Sequence, residues 1–180
     1  MIDPSWSCEK VIAILQRKGI NFVAVDFDLT LVAKHTGGER GDSRELVKLV
    51  RPCFSKFIPC LLDSNISVAV VTFSSQTDLV KETVKLGFPL HWNKIVVRAS
   101  DKSWGDMGDS AMFGKQKYIA SAAEELEKIF GFEITRDSAL LIDDDQNNIR
   151  IALRNHVRAL LFIPHNPNSV FSDIIELGSI

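Results

Sequence analysis

The sequence has few cysteines, little excess charge and no long apolar run, and each shortage narrows the class of protein. Its three cysteines, Cys8, Cys53 and Cys60, are odd in number and lack the CxxC spacing of metal sites, so we expect reduced core thiols in an intracellular protein. A net charge of −2 over 180 residues provides no general attraction to nucleic acid or to anionic membranes. No apolar run reaches the length that crosses a bilayer, so we expect no membrane partner.

The amino terminus and the composition favour an ordinary globular protein of the cell interior. Residues 1–4 are not a basic segment followed by an apolar one, so we expect no signal peptide. A hydrophobic content of 46% with 24% charged residues is typical of globular proteins. The length is most simply that of one domain over residues 1–180. We therefore predict a cytoplasmic location and leave the nucleus open.

Residues 22–32 are the stretch around which the rest of the chain is organised, and they read FVAVDFDLTLV. Apolar residues lead into Asp26 and Asp28 and follow them, which is typical of a strand buried on both faces of a parallel sheet. Two carboxylates so close together are costly unless a positive group lies between them. The stretch therefore predicts a divalent cation at the strand end. A solvated strand–turn edge is the plainer alternative, but it leaves the apolar flanks unexplained.

Helical and strand patterns alternate along the chain. A helix over 5–18 precedes the first strand, 22–27, and packs on the core. Pro52 is expected at a helix start and Pro59 to kink or divide its segment. Further strands are expected at 67–72, 95–97, 138–142 and 158–163, and further helices at 44–63, 76–86, 115–130, 146–155 and 168–177. This order predicts an α/β fold, a doubly wound, mainly parallel five-stranded sheet with helices on both faces.

Two polar, glycine-containing segments, 33–43 and 99–113, are expected to be loops that shape access to the sheet edge. The first leaves the end of the strand that carries Asp26, as flaps over α/β sites do. His35 and Thr36 in this flap loop are interpreted as surface residues, with substrate contact as the alternative. Trp104 in the second loop either stacks on a substrate ring or anchors the loop.

The carboxyl ends of neighbouring parallel strands converge on one crevice, and chemistry-bearing side chains follow several of them. The sequence places two acid pairs, a hydroxyl and a lysine there: Asp26, Asp28, Thr72, Lys115, Asp143 and Asp144. Each alone has a plainer explanation, such as a strand-end hydroxyl, a solvated lysine or helix-capping acids. In this order and spacing the set favours phosphoryl transfer.

Each member of the set can take a distinct role in that reaction. Asp26 can attack phosphorus, and Asp28 can protonate the leaving oxygen and later activate water. Lys115 can neutralise charge at the nucleophile and the phosphate. Thr72, with the backbone of Phe73 and Ser74, can bind a phosphate oxygen at a helix start. Magnesium (Mg²⁺) can offset the repulsion between carboxylates and phosphate.

The same residues resemble, in order, the four motifs of the haloacid dehalogenase (HAD) superfamily. The first motif is similar to residues 26–30, DFDLT, and the second to Thr72 after its apolar strand. The third resembles Lys115 in residues 114–119, GKQKYI, where Lys117 is the competing lysine and Tyr118 stands where many members have histidine. The fourth resembles residues 141–144, LIDD.

The resemblance implies a Rossmann-like HAD domain that uses an aspartyl phosphate and Mg²⁺. It implies metal ligands at the Asp26 carboxylate, the Asp28 main-chain carbonyl and a fourth-motif acid. Asp144 is favoured there, with Asp143 orienting water or Lys115. Because dehalogenases need no leaving-group acid, Asp28 indicates a phosphatase.

The intervals between the motifs are already filled by predicted elements, so no cap domain is expected. The chain is similar in this respect to the magnesium-dependent phosphatase-1 group. This likeness implies a phosphorylated substrate, either a phosphoprotein such as a phosphotyrosine protein or a sugar phosphate.

Three other functions would use parts of the same residue set. A phospho-accepting receiver domain also uses acids, a hydroxyl and a lysine. Its acceptor lies on a middle strand, however, whereas the acid pair of this chain lies on the first strand. A catalytically silent HAD scaffold that binds a partner would keep the fold without turnover. A nucleic-acid end phosphatase would need a basic groove, to which Lys94, Arg98, Lys102, Lys115 and Lys117 could contribute. Evenly solvated charges are the favoured explanation of those cations, so nucleic acid is the disfavoured partner.

Overall fold

The computed structural model describes residues 6–37, 41–105 and 110–178. Their strands form a five-stranded sheet in the order β3-β2-β1-β4-β5, and every neighbouring pair is parallel. The strands are β1 (Phe22–Asp26), β2 (Ser67–Val71), β3 (Ile95–Arg98), β4 (Ala139–Asp143) and β5 (Arg158–Leu161). The predicted doubly wound, Rossmann-like α/β fold is confirmed.

Helices connect the strands and cover the sheet. In the described residues they are α1 (Cys8–Arg17), α2 (Ser43–Leu46), α3 (Pro52–Asp63), α4 (Thr77–Gly87), α5 (Ser110–Phe113), α6 (Gln116–Phe130), α7 (Gln146–Arg154) and α8 (Ser169–Leu177). The second predicted loop thus contains the short helix α5, and residues 106–109 of that loop lie outside the described residues. Among the helices that can be described, none combines the length and apolar character needed to cross a membrane.

The central strands are buried on both faces, and alternate residues enter two separate cores. In β1, Val23 and Val25 belong to the larger core, whereas Phe22 and Ala24 belong to the smaller one. The larger core also receives apolar residues of α1, α3 and α8, and the smaller receives those of α6. Continuous apolar strands follow from this arrangement, because neither face meets water.

Stacked aromatic rings tie the amino-terminal region to the carboxyl-terminal helix. The Trp6 ring lies parallel to that of Phe171, with 3.8 Å between centroids, and Phe57 of α3 meets both rings edge-on. Helix α1 buries Val11 and Leu15 in the same core. Aromatic contacts of this kind add to the stabilisation from buried apolar area.

The expectation of three reduced thiols is wrong, because Cys8 of α1 and Cys60 of α3 form a disulfide. The packing of α1 on α3 brings their Cα atoms to 6.1 Å, a separation that a disulfide can span. Cys53 alone is a free thiol among the cysteines, and it is buried.

Pro52 begins α3, as predicted, where its missing N–H has no helical partner to lose. Pro59 does not divide the segment, because α3 runs through it to Asp63, and the alternative of a kink stays a prediction. Buried side chains on either side, Phe57 and Leu61 among them, hold the helix against the core and offset the lost hydrogen bond.

The strand order reverses next to β1, and this reversal positions the site. The chain proceeds from β1 through β2 to β3 on one side, then crosses to β4 on the other side. In open α/β sheets such a switch point opens a crevice at the carboxyl ends of the strands. Here that crevice lies between the ends of β1 and β4.

Candidate active site

A cleft of about 430 Å³ opens at this switch point. Asp26 ends β1, Asp143 ends β4, and Thr72 follows β2, so three strands deliver polar groups to one place. The lining residues are Asp26, Asp28, Leu29, His35, Thr36, Gly37, Thr72, Phe73, Ser74, Ser75, Lys115, Asp143, Asp144, Asp145 and Asn148. All eight residues predicted for the site from the sequence are therefore in one cleft.

Asp26 and Lys115 form a buried ion pair at the base of the cleft. Lys115 Nζ donates to Asp26 Oδ1 at 2.6 Å and to the Val71 carbonyl at 2.9 Å. Lys115 is the residue before α6, and its side chain is almost fully enclosed. A buried pair of this kind holds its geometry tightly, because separating the charges would leave each one uncompensated.

The two acids at the end of β4 have different surroundings. Both oxygens of Asp143 accept hydrogen bonds, Oδ1 from the Asp145 N–H at 2.8 Å and Oδ2 from Asn148 Nδ2 at 3.0 Å. Asp144 is half-buried, and its Oδ1 accepts from Thr30 Oγ1 at 3.3 Å. Hydrogen bonds within the protein thus fix Asp143, whereas the Asp144 carboxylate can still coordinate a metal ion in the cleft.

Asp26, Asp143 and Asp144 could together hold a metal ion. Each offers a carboxylate oxygen, and these oxygens lie within 4.8 Å of one another. Hard divalent cations prefer such oxygen ligands. The donor set therefore fits a magnesium-type ion, and the cation predicted from residues 22–32 has a place at the strand ends.

Burial and mutual repulsion disfavour the charged forms of these carboxyls. Burial raises the pKa of Asp26, although the nearby Lys115 ammonium opposes this effect. Burial, followed by the charge of Asp26, raises the pKa of Asp143 to about 6. The pKa of Asp144 is raised by burial and by Asp143. A bound cation would offset both effects, since it stabilises the ionised carboxylates.

The segment after β2 forms one wall of the cleft. The Thr72 hydroxyl accepts from the Ser74 N–H at 3.1 Å, and the Ser74 hydroxyl accepts from the Gln76 N–H at 3.2 Å. These bonds shape a tight turn that leads into α4. Phe73 is 37% exposed, and Lys115 Nζ lies 4.2 Å from the centroid of its ring.

A strained turn follows Asp28 and is held by an arginine that sequence reasoning missed. Leu29 has a φ of +58°, a conformation that costs a residue with a side chain roughly 1–2 kcal/mol. Arg51 donates to the Leu29 carbonyl at 3.0 Å and to the Pro164 carbonyl at 3.1 Å. Arg51 therefore links the loop after β1 to the loop after β5. Nothing in the sequence around Arg51 indicates this contact.

The flap loop turns back onto Asp28. Thr36 is only 5% exposed, and its hydroxyl donates to Asp28 Oδ2 at 2.9 Å. His35 Nδ1 lies 3.3 Å from the same oxygen. The interpretation of Thr36 as a surface residue is wrong, because the loop folds its side chain inward. Residues 38–40 of the loop lie outside the described residues.

Trp104 anchors its loop, which was one of the two alternatives for it. Its indole N–H donates to the Ala99 carbonyl at 2.8 Å, and its ring packs 4.8 Å from the ring of buried Tyr118.

Asn148 was not identified from the sequence. Its place in the first turn of the helix after Asp143 was the available signal, because such residues face the strand end.

No protein-family model matches the chain, and a search of curated proteins finds no match either. Solved structures do match its fold. One is the N-terminal part of a Bacteroides fragilis protein that contains a phosphatase domain, complexed with Mg, at 17% identity and a TM-score of 0.56. The match covers 94% of this chain, which spans 43% of that one.

Two further structures match over nearly their whole length. A Vibrio cholerae protein provisionally assigned as a 3-deoxy-D-manno-octulosonate 8-phosphate phosphatase is 13% identical, with a TM-score of 0.52 over 98% of this chain and 90% of that one. An uncharacterized Corynebacterium glutamicum protein is 14% identical, with a TM-score of 0.52 over 89% of this chain and 96% of that one. At these identities the likeness is one of fold.

Proposed function

We propose that this chain is a HAD-type phosphatase, a magnesium-dependent phosphomonoester hydrolase that forms an aspartyl phosphate on Asp26. The observation that supports it most is the grouping at one switch point of a lysine-paired carboxylate, two further acids within metal-ligand distance and a fourth acid, Asp28, at the same strand end. Phosphoryl transfer needs positioning and charge compensation, and this set supplies both.

Magnesium would be held by the carboxylates of Asp26 and Asp144 and by the Asp28 main-chain carbonyl. When bound, it supplies charge compensation for the phosphate oxygens and the carboxylates around them. Asp143 orients water or Lys115, because both of its oxygens accept hydrogen bonds from Asp145 and Asn148. The three acids fit the ion, since their oxygens lie near one another, and burial, which is only partial for Asp144, disfavours their charged forms without it.

In the first step a carboxylate oxygen of Asp26 attacks phosphorus. The bond from phosphorus to the leaving oxygen breaks, and that oxygen takes a proton from Asp28. In the second step water attacks phosphorus and gives a proton to Asp28. The bond between Asp26 and phosphorus then breaks, releasing inorganic phosphate and restoring both acids. Lys115 stabilises the negative charge that moves between Asp26 and the phosphate, while Thr72, Phe73 and Ser74 form the phosphate-binding wall.

A bulky substrate suits the cleft. Within the described residues no separate domain covers it, so a phosphorylated side chain of a protein could reach Asp26. The exposed ring of Phe73 offers an apolar contact beside the phosphate, which supports a phosphotyrosine-type leaving group. A sugar phosphate is the alternative substrate class. The likeness to the magnesium-dependent phosphatase-1 group stays a prediction.

A nucleic-acid end phosphatase is less well supported. Two of the five cations considered for a basic groove are buried and paired, Lys115 with Asp26 and Arg98 with Glu125.

A cytoplasmic location stays a prediction, and the Cys8–Cys60 disulfide counts against it, because disulfides are rare in that compartment.

Magnesium-dependent phosphate release tests the proposal. The substrates are p-nitrophenyl phosphate, a phosphotyrosine peptide, sugar phosphates and a 3′-phosphorylated oligonucleotide. Asp26→Asn should abolish release, whereas Asp137→Asn, which changes an exposed acid away from the cleft, should leave it unchanged. The preferred member of the panel identifies the substrate class. A folded wild-type protein that binds magnesium but releases phosphate from none of them would favour the silent scaffold.

A further inference from the structure

The side chain of Asp28 is held by the flap loop. Thr36 donates to its Oδ2 at 2.9 Å, and His35 Nδ1 lies 3.3 Å from that oxygen. Its Oδ1 is buried and has no hydrogen-bond partner within the residues that the structure describes. The polar contacts that fix this carboxyl group therefore come from two consecutive loop residues.

The loop is itself fixed on both sides, so Thr36 does not meet Asp28 by chance. The Leu29 N–H donates to the Lys34 carbonyl at 3.1 Å, which closes the turn after Asp28. The Ala33 N–H donates to the Leu49 carbonyl at 2.9 Å, which joins the loop to the segment before α3. Two residues beyond Lys34, the chain buries Thr36 against the cleft.

We propose that Thr36, assisted by His35, is a positioning residue that holds the Asp28 carboxyl in place for proton transfer to the leaving group. This inference rests on the proposed function and adds to it a task for the flap loop. A displacement of about 1 Å in a reacting group can reduce a rate by about 10²-fold. Loss of the Thr36 hydroxyl should therefore lower kcat/KM mainly for substrates whose leaving group needs a proton.

A purely structural role for Thr36 makes a different prediction. A buried hydroxyl also needs a partner simply because burial without one is costly. If Thr36 had only this structural role, Thr36→Val would lower the stability of the protein, or it would lower the hydrolysis of every substrate by the same factor. Dependence on the leaving group separates the two explanations.

The test compares kcat/KM for an alkyl phosphate, β-glycerophosphate, with that for p-nitrophenyl phosphate. The nitrophenolate ion leaves readily without a proton, whereas an alkoxide does not, and general acid catalysis contributes about 10²–10⁴-fold. The quantity kcat/KM reports the steps up to the first irreversible one, so a slow second step does not mask the effect. We expect Thr36→Val to lower the alkyl-to-aryl ratio of kcat/KM by about 10- to 100-fold.

Three further variants make the result specific. Thr36→Ser keeps the hydroxyl and should restore the ratio. Thr83→Val removes a buried hydroxyl that donates to a carbonyl within α4, outside the cleft, and should leave the ratio unchanged. His35→Ala changes a side chain that is 69% exposed, so the protein should fold, and it should lower the ratio to a smaller extent.

A second measurement does not depend on turnover. The NMR signal of the Asp28 carboxyl carbon in the unliganded protein should shift in Thr36→Val and return in Thr36→Ser. A signal that stays unchanged in Thr36→Val overturns the positioning role, as does an equal loss of kcat/KM for both substrates. A shifted signal in a protein whose wild type hydrolyses neither these two substrates nor any member of the panel above instead overturns the proposed function and leaves the contact standing.

Discussion

The burial of Asp143 gives a quantitative prediction about stability and pH. Its carboxyl is 1% exposed, and its pKa is raised from an ordinary 3.8 to about 6 by burial and by the charge of Asp26. Between those two pH values the folded protein holds a proton that the unfolded chain has released. Stability therefore falls as pH rises through this window, and the full difference corresponds to about 3 kcal/mol for this group.

The assay is urea unfolding in EDTA, followed between pH 7 and pH 4 with the disulfide intact. Asp143→Asn removes the titration, and Asn148 can turn its amide to face the new side chain. The wild type should gain up to about 3 kcal/mol relative to Asp143→Asn as pH falls. The exposed-acid variant Asp137→Asn controls for other titrating carboxyls and should behave as the wild type.

Magnesium should reverse this behaviour, because the ion binds the ionised carboxyls. Its addition should stabilise the wild type more at pH 7 than at pH 5. Parallel pH profiles for the wild type and Asp143→Asn in EDTA would refute the reasoning, since they would show that the buried acid titrates alike in the folded and unfolded states.

Three other changes have defined outcomes. Lys115→Met should abolish turnover and lower the free energy of unfolding by about 3–5 kcal/mol at neutral pH, because it leaves Asp26 buried without its partner; unchanged urea stability would contradict the pairing. The double change of Cys8→Ser and Cys60→Ser removes a bond between residues 52 apart in the sequence. It should lower the free energy of unfolding by roughly 4 kcal/mol and leave kcat unchanged; equal stability of the oxidised wild type and the double variant would count against the disulfide. Gly114→Ala, at a φ of +51° and with its Cβ 3.3 Å from side chains of α7, should cost about 1–2 kcal/mol in thermal or urea unfolding; a neutral result would show that the turn before α6 relaxes.

The sheet could be predicted because its signal is local. Residues 22–25 and 68–71 are apolar runs, and the structure confirms that both lie in strands buried on two faces. Helix boundaries followed from Gly131 and Pro52, which end and begin helices for backbone reasons. Grouping of the acids followed from one rule, that parallel strands present their carboxyl ends at the same edge.

The contacts that depend on tertiary packing could not be predicted. Cys8 and Cys60 pair only because α1 lies on α3, and their spacing carries no sign of it. Thr36 reaches Asp28 through a turn whose shape is set by bonds to Lys34 and Leu49. A polar loop sequence gives no hint of which of its side chains folds inward.

Trapping the covalent intermediate tests the central claim most directly. Asp28→Asn, which should form the intermediate from p-nitrophenyl phosphate but release it slowly, is quenched in acid and reduced with borohydride. Borohydride converts an acyl phosphate to an alcohol, and mass spectrometry of the peptides then locates the reduced residue. The account predicts reduction at position 26 that requires magnesium and substrate. Reduction at another carboxyl, or burst kinetics with no reduction at Asp26, would contradict it.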